Sequence, residues 1–215
     1  MKKEKNELIT MSTLLRKDEK IEKNTKSFEK IMFLYSVASK ELQTKLEIIK
    51  DEFKLFYDYD LIDHMQTRIK KPDSIVNKMK SRGLDITYQN MIENINDIAG
   101  IRVICPLKKD VFSVRDLVRN TPGVRILKEK DYINNPKKSG YSSYHMILEV
   151  PISLSNKHMY VKVEVQIRTM AMDFWASLEH KLKYKPQSEI TKASSKELVT
   201  CAKMVHKLDN KMMSF

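Results

Sequence analysis

At 215 residues with 41% hydrophobic content, the chain is long enough to bury a real core, and one domain with extensions is expected. Cys105 and Cys201 make neither a disulfide framework nor a zinc cluster, and no apolar run approaches membrane-spanning length, so the expectation is a cytoplasmic protein without a membrane partner. The formal net charge of +12 points to an anionic partner: a nucleotide, RNA or an acidic surface.

Residues 1–26 are rich in Lys, Glu and Asn and read as a basic arm; 27–215 read as a single domain with a C-terminal helical extension. From Phe28 to about Phe56, Ile31, Leu34, Tyr35, Ala38, Leu42, Leu46, Ile49 and Phe53 recur at helical spacing, which predicts a long amphipathic helix. A second helix is expected over about Asp60–Ile69. A third begins at Pro72, which suits a first helical turn, and stops near Gly83; a short one covers about Thr87–Ile95.

The character changes at Asp97. Ile98–Ile104 is apolar and β-branched and predicts a strand, Asp110–Arg119 a helix, and Val124–Leu127 the start of another strand. Asn134–Gly140 is a turn-rich loop, and Tyr144–Val150 and Met159–Ile167 predict two more strands. The end is helical, about Thr169–Tyr184 and, after Pro186, about Ser195–Met212. Helices, then a mixed sheet, then helices define an α+β (mixed α/β) class.

The strand before the penultimate helix is the most telling. Val161, Val163, Val165 and Ile167 alternate with Lys162, Glu164, Gln166 and Arg168, so one face is apolar and the other wholly polar. Such a row is either a wet sheet face or the floor of a polar ligand cleft. In the following helix Ala171, Phe174, Trp175, Leu178 and Leu182 share a face, expected to be core.

Other groups fit a cleft. Ser74, Lys78 and Arg82 lie about a turn apart, with Arg68 and Lys70 just before that helix; cations near a helix N-terminus suit a polyphosphate, although charge runs are commonly only solvated. Strict alternation puts Asp97 and Arg102 on opposite faces of their strand, whereas a bulge at Gly100, or Asp97 lying before the strand, lets both face one site; otherwise Asp97 caps a local turn and Arg102 points to solvent. Asp97 and Glu164 are then the natural pair for Mg²⁺. With only four glycines, the chain has no Walker or kinase phosphate loop and no dinucleotide fingerprint, so Lys and Arg must bind phosphate. The Gly140 turn presents Tyr141, which either stacks on a base or belongs to the core, and a lone His145 is more often structural than catalytic.

Four blocks carry a resemblance: Arg68-x-Lys70-x-x-x-Ser74-Ile-x-x-Lys78; Asp97-Ile-Ala-Gly-Ile-Arg102; Lys130-Asp-Tyr-Ile followed by Pro136-Lys-x-x-Gly140-Tyr141-x-Ser-x-His145; and Glu164-Val-Gln166-Ile-Arg-Thr with Phe-Trp-Ala and Glu-His-Lys. Over about Phe28–Tyr184 the chain resembles the synthetase domain of the Rel/Spo family, and in length a small, RelQ-type alarmone synthetase. The resemblance implies a nucleotidyltransferase-like fold, a central mixed β-sheet flanked by helices with long N- and C-terminal helices. It implies transfer of the β,γ-pyrophosphate of ATP to the 3′-hydroxyl of GDP or GTP, giving ppGpp or pppGpp and AMP. Carried over by position, Arg68 and Arg102 sandwich adenine; Lys70, Ser74 and Lys78 hold the ATP phosphates; and Asp97 and Glu164 hold Mg²⁺, with Glu164 also activating the 3′-hydroxyl. Tyr141 stacks on guanine with His145 and Gln166 nearby, and Lys130 and Lys138 approach the acceptor's phosphates.

Ser142, Tyr144 and Asp173 depart from the family pattern and leave the acceptor open between GMP, GDP and GTP. The His-Asp dipeptide of the family's hydrolase does not occur, so synthesis without hydrolysis is expected. The resemblance also implies a homotetramer and single-stranded RNA as a partner. Two alternatives remain, an RNA-binding regulator and a nucleotidyltransferase with another acceptor; the first does not need Asp97 and Glu164.

Overall fold

The computed structural model describes residues 9–10, 25–183 and 192–214, so most of the arm, Tyr184 and Pro186 lie outside the described residues. In chain order the elements are β1 (Ile9–Thr10), α1 (Thr25–Tyr57), β2 (His64–Ile69), α2 (Pro72–Ser81), α3 (Tyr88–Asn94), β3 (Ala99–Cys105), α4 (Lys108–Arg119), β4 (Arg125–Asp131), β5 (Tyr144–Ser153), β6 (His158–Thr169), α5 (Met170–Lys183) and α6 (Lys192–Met212).

The sheet runs β2-β3-β6-β5-β4. The β3–β6 pair is parallel and the other neighbours on this path are antiparallel, so the sheet is mixed. β6 begins before β3 reaches it, and β1 pairs in parallel with that start at Met159 and Tyr160.

The alternation read in β6 holds: Val161, Val163, Val165 and Ile167 are buried. They share a core with Ile101 and Val103 of β3, Met146, Leu148 and Val150 of β5, the apolar stripe Ile31–Leu46 of α1, and Val111, Val114 and Val118 of α4. Both helices therefore cover one sheet face, and burial of that face is the main favourable term holding the layers together. The opposite face is left free for polar groups.

Local signals set the helix ends. Pro72 opens α2, and Gly83, with φ of +66°, follows its end. Thr87 Oγ1 accepts from Asn90 N at 3.1 Å to cap α3. Thr169, the last residue of β6, accepts from Met172 N at 3.1 Å and so starts α5 without an intervening loop. That cap fixes where the first turn of α5 stands over the sheet.

Two expectations are overturned. Asp60–Ile69 is not a helix: 64–69 is edge strand β2, paired with β3 along its whole length. Leu61, Ile62, Met65 and Ile69 also satisfy helical spacing, and an edge strand with both faces largely wet shows no alternation to contradict it. In α5, Trp175 is 2% exposed but Phe174 is 70% exposed and Leu178 is exposed too. The buried face is Met172, Trp175, Ala176 and Glu179, turned from the expected stripe because the helix packs across α6 and borders a polar cavity.

Candidate active site

Strand register assembles the polar face from distant parts of the chain, because residues directly opposite on neighbouring strands share a face. One row runs Arg68, Gly100, Glu164, Ile147; the next runs Gln66, Arg102, Gln166, His145, Lys130. The β2–β3 and β3–β6 registers are continuous through Gly100, so there is no bulge there. Asp97 lies before the strand proper, and this is what lets it face the same site as Arg102. A Cβ on Gly100 would have the Arg68 side chain at 3.8 Å and the Glu164 carbonyl at 3.9 Å as its nearest neighbours. Its absence leaves a small cavity of about 80 Å³ lined by Arg68, Gly100, Arg102, Glu164 and Gln166.

Two lysines converge on Asp97. Lys70 Nζ donates to Oδ2 at 3.0 Å from the end of β2, and Lys78 Nζ at 2.7 Å from α2. Burial alone would raise the Asp97 pKa, but the two lysines outweigh it and hold the carboxyl below its ordinary value. Oδ1 is buried with no hydrogen-bond partner. A buried lone pair without a donor is costly, and an ionised carboxylate with one such oxygen has the chemistry to accept a cation.

Glu164 is the second such group. Its Oε2 accepts from Gln166 Nε2 at 2.8 Å, and Oε1 lies 3.5 Å from His145 Nδ1. Burial pushes its pKa up and the Asp97 charge adds to that, but His145 and Gln166 hold it below the usual glutamate value. Both carboxylates are thus ionised at neutral pH, and the Asp97 charge is near enough to act on Glu164. Two hard oxygen donors of this kind fit Mg²⁺, which takes one or two carboxylates and completes its shell with phosphate and water.

A larger cavity of about 510 Å³ adjoins them, lined among others by Arg68, Arg102, Tyr141, His145, Gln166 and Arg168. Arg168, whose role the sequence left open, is its organiser. It donates from Nη2 to Tyr141 Oη at 2.6 Å and to Gln166 Oε1 at 2.7 Å, and from Nη1 to Asp173 Oδ1 at 3.0 Å. Tyr141 Oη in turn lies 2.7 Å from His145 Nε2. Since Arg168 can only donate, the hydroxyl hydrogen is free for Nε2, which leaves Nδ1–H facing Glu164. Asp173 also pairs with Arg102 at 3.2 Å, joining the two arginines.

The structure thus brings together Arg68, Lys70, Lys78, Asp97, Arg102, Tyr141, His145, Glu164 and Gln166. Ser74 is exposed in the first turn of α2, and Lys130 stands on β4 opposite His145. Lys138 lines a different cavity; the loop lysine bordering the large one is Lys137, with Nζ 4.7 Å from the centroids of both Tyr132 and Tyr141. Arg82, grouped by spacing with Ser74 and Lys78, instead donates to Asn94 O at 2.7 Å.

Sequence reasoning also passed over Lys162. Its Nζ donates to Ile92 O at 3.2 Å, Glu93 O at 2.9 Å and Asn96 Oδ1 at 3.3 Å. A cation thereby closes the C-terminal end of α3, where carbonyls lack helical partners, and ties down the residue before Asp97. Its place in the polar row of β6 was the available signal.

The molecule is a mixed α+β domain with helices on the apolar face of its sheet and, on the other face, two ionised carboxylates among cations, an arrangement suited to a polyphosphate and a metal ion. A family model described as "Region found in RelA / SpoT proteins" matches residues 67–189. The chain is 44% identical to GTP pyrophosphokinase YwaC of Bacillus subtilis over 85% of its own length and 87% of that protein. It is 32% identical to GTP pyrophosphokinase YjbM of the same organism, covering 87% of each. Among solved structures, small alarmone synthetase 2 from Bacillus subtilis superimposes with a TM-score of 0.78 at 41% identity, covering 87% of this chain and 96% of that one. Small alarmone synthetase 1 from Bacillus subtilis, bound to its product pppGpp, does so with 0.80 at 31% identity, covering 88% and 96%. The chain belongs to the RelA/SpoT family, among the small alarmone synthetases.

Proposed function

We infer that this chain is a GTP pyrophosphokinase that moves the β,γ-pyrophosphate of ATP to the 3′-hydroxyl of GDP or GTP. The observation that carries the reading is the pair Asp97 and Glu164, both ionised, with lysines on one side and an aromatic, guanidinium-lined cavity on the other.

The roles that the resemblance implies are supported by where the residues stand. Lys70 and Lys78 neutralise the ATP phosphates where they already hold Asp97. Arg68 and Arg102, whose charges repel across β2–β3, take the adenine face between them, and the Gly100 cavity leaves room beside Glu164. Tyr141, steadied by Arg168 and His145, stacks on the guanine. Mg²⁺ held by the Asp97 and Glu164 carboxylates would draw charge from the phosphate oxygens. The 3′-hydroxyl oxygen forms a bond to the β-phosphorus, the bond to the bridging α,β-oxygen breaks, AMP leaves with that electron pair, and Glu164 accepts the hydroxyl proton. Little covalent work falls to the protein; fixing two nucleotides in line and balancing charge supplies the acceleration.

The test is labelled ATP with GDP, GTP or GMP and Mg²⁺, resolved by chromatography. Transfer to GDP or GTP is expected; no transfer to any acceptor overturns the reading. We also propose synthesis without hydrolysis, checked by incubating the product with the enzyme. Self-association is a further part of this reading, supported by Phe33, Ile48, Leu55 and Phe56 left exposed on α1 and Phe174 and Leu178 on α5; light scattering reads the tetramer mass.

A further inference from the structure

The loop between β4 and β5 is a partition. Ser139 and Tyr141 face the nucleotide cavity, Gly140 and Ser142 face a second cavity of about 580 Å³ against α6, and Lys137 borders both. No role in the chemistry falls to α6, yet it meets this loop at its tightest point. A Cβ on Gly140 would lie 2.4 Å from Ala202 Cβ of α6 and 3.6 Å from Trp175 Cζ2, and Gly140 has φ of +91°. Only glycine fits that backbone, and only because a small residue faces it.

The helix is fastened on both sides of the contact. Trp175 Nε1 donates to Leu198 O at 2.9 Å. Farther along, buried Thr169 donates from Oγ1 to Asp209 Oδ2 at 2.9 Å, and Lys108 Nζ to Asn210 Oδ1 at 3.1 Å. Trp175, Ala176 and Ala202 form a separate small apolar cluster, and the Tyr141 ring packs on it. Tyr141 is therefore backed by the junction of α5 and α6 rather than by the main core.

We propose that α6 is a positioning element for the acceptor nucleotide: Ala202 and Trp175 form a backstop that fixes, through Gly140, how far Tyr141 projects into the nucleotide cavity. This rests on Tyr141 contacting the acceptor. Pressure on the backstop then changes acceptor affinity far more than ATP affinity, because Arg68 and Arg102 stand on β2 and β3, Lys70 just after β2 and Lys78 on α2, away from α6.

A double-mutant cycle with a spectroscopic readout tests this. Gly140→Ala should raise the KM for GDP at least tenfold with the KM for ATP within twofold. Ala202→Gly, which removes the opposing Cβ, should recover at least threefold of that loss in the double variant, the remainder being backbone strain at the positive φ. Trp175 is the only tryptophan in the chain, so its emission reports this junction directly. GDP should perturb it in the wild type, a non-hydrolysable ATP analogue should not, and the GDP midpoint should move with the KM in the variants. No recovery by Ala202→Gly, equal rises in both KM values, or silence of Trp175 towards GDP overturns the proposal. The wild-type titration stands even if Gly140→Ala does not fold. Tyr141→Ala separates the two layers: an unchanged GDP KM refutes the acceptor reading, whereas a raised KM with no coupling in the cycle refutes the backstop alone.

Discussion

Replacing Lys162 by Met keeps the stem and removes the ammonium that donates to Ile92 O, Glu93 O and Asn96 Oδ1. Hydrogen bonds from a charged donor contribute roughly 1.5–3 kcal/mol each, and stranded half-buried acceptors cost about 1–3 kcal/mol. Against this stands the burial of the ammonium, which lowers the Lys162 pKa despite the Glu149 and Glu93 carboxylates nearby, and which Met avoids. Water can also reach part of the site. The balance is a net loss of about 1–3 kcal/mol, which for a domain of this size is about 2–4 °C of thermal midpoint per kcal/mol. The functional consequence should be larger. Asn96 leads directly into Asp97, and a displacement of about 1 Å in a positioned catalytic group costs on the order of 100-fold in rate. Lys162→Met should therefore lower kcat by about 10- to 100-fold and shift the Mg²⁺ activation midpoint upward, with the protein still folded at assay temperature. Thermal unfolding and steady-state kinetics with Mg²⁺ varied measure both. A lowered midpoint with kcat and Mg²⁺ response unchanged would show that Lys162 only caps α3, and the link to Asp97 would be wrong.

Glu164→Gln keeps the shape and loses the charge and base; kcat should fall by roughly 10²–10⁴-fold with a small drop in thermal midpoint at neutral pH, and equal turnover would remove Glu164 from the chemistry. Tyr141→Ala should raise the acceptor KM by about 5- to 150-fold, equivalent to roughly 1–3 kcal/mol of lost stacking, while the ATP KM holds. Asp97 and Glu164 both have folded pKa values below the ordinary 3.8 and 4.5, so their contribution to stability is fully present above those values and disappears as pH falls through the lower folded ones. Thermal midpoints measured across the acid range should show that loss in the wild type and less of it in Glu164→Gln; a loss beginning near neutrality would contradict the assigned ionisation.

How much of this was legible in the sequence depends on what each residue needs for its role. β6 reads clearly because alternation is a property of one segment: Val161 to Ile167 inward, Lys162 to Arg168 outward. Asp97 and Glu164 emerged as a pair because carboxylates beside apolar strands are uncommon, and the chain's few glycines excluded a phosphate loop. Edge strand β2 was lost since its character comes from pairing with β3, not from its own pattern. Arg168 is the sharper case. Its partners Tyr141 and Asp173 sit 27 and 5 residues away, so its role exists only once β5, β6 and the first turn of α5 are packed. Phe174 and Trp175 are adjacent and equally apolar, and only the placement of α6 decides that one is buried and the other bare.

The family departures at Ser142, Tyr144 and Asp173 can now be weighed by location. Tyr144 lies one residue from His145 on β5 and so points to the opposite face; it is buried beside Phe112, with its hydroxyl 3.2 Å from Arg119 and 3.3 Å from Glu129. It has no path to an acceptor except through the sheet. Ser142 borders the cavity against α6, not the nucleotide cavity. Asp173 alone bears on the site. Its carboxylate joins Arg168 to Arg102; burial first, and then the Arg168 charge, lower the Arg102 pKa, while Asp173 raises it. An amide there could hydrogen-bond but not neutralise, and the guanidiniums would separate. Because the Asp173 charge is engaged by the protein's own arginines, its influence on acceptor choice must run through where Arg168 holds Tyr141, the same ring that α6 supports from behind.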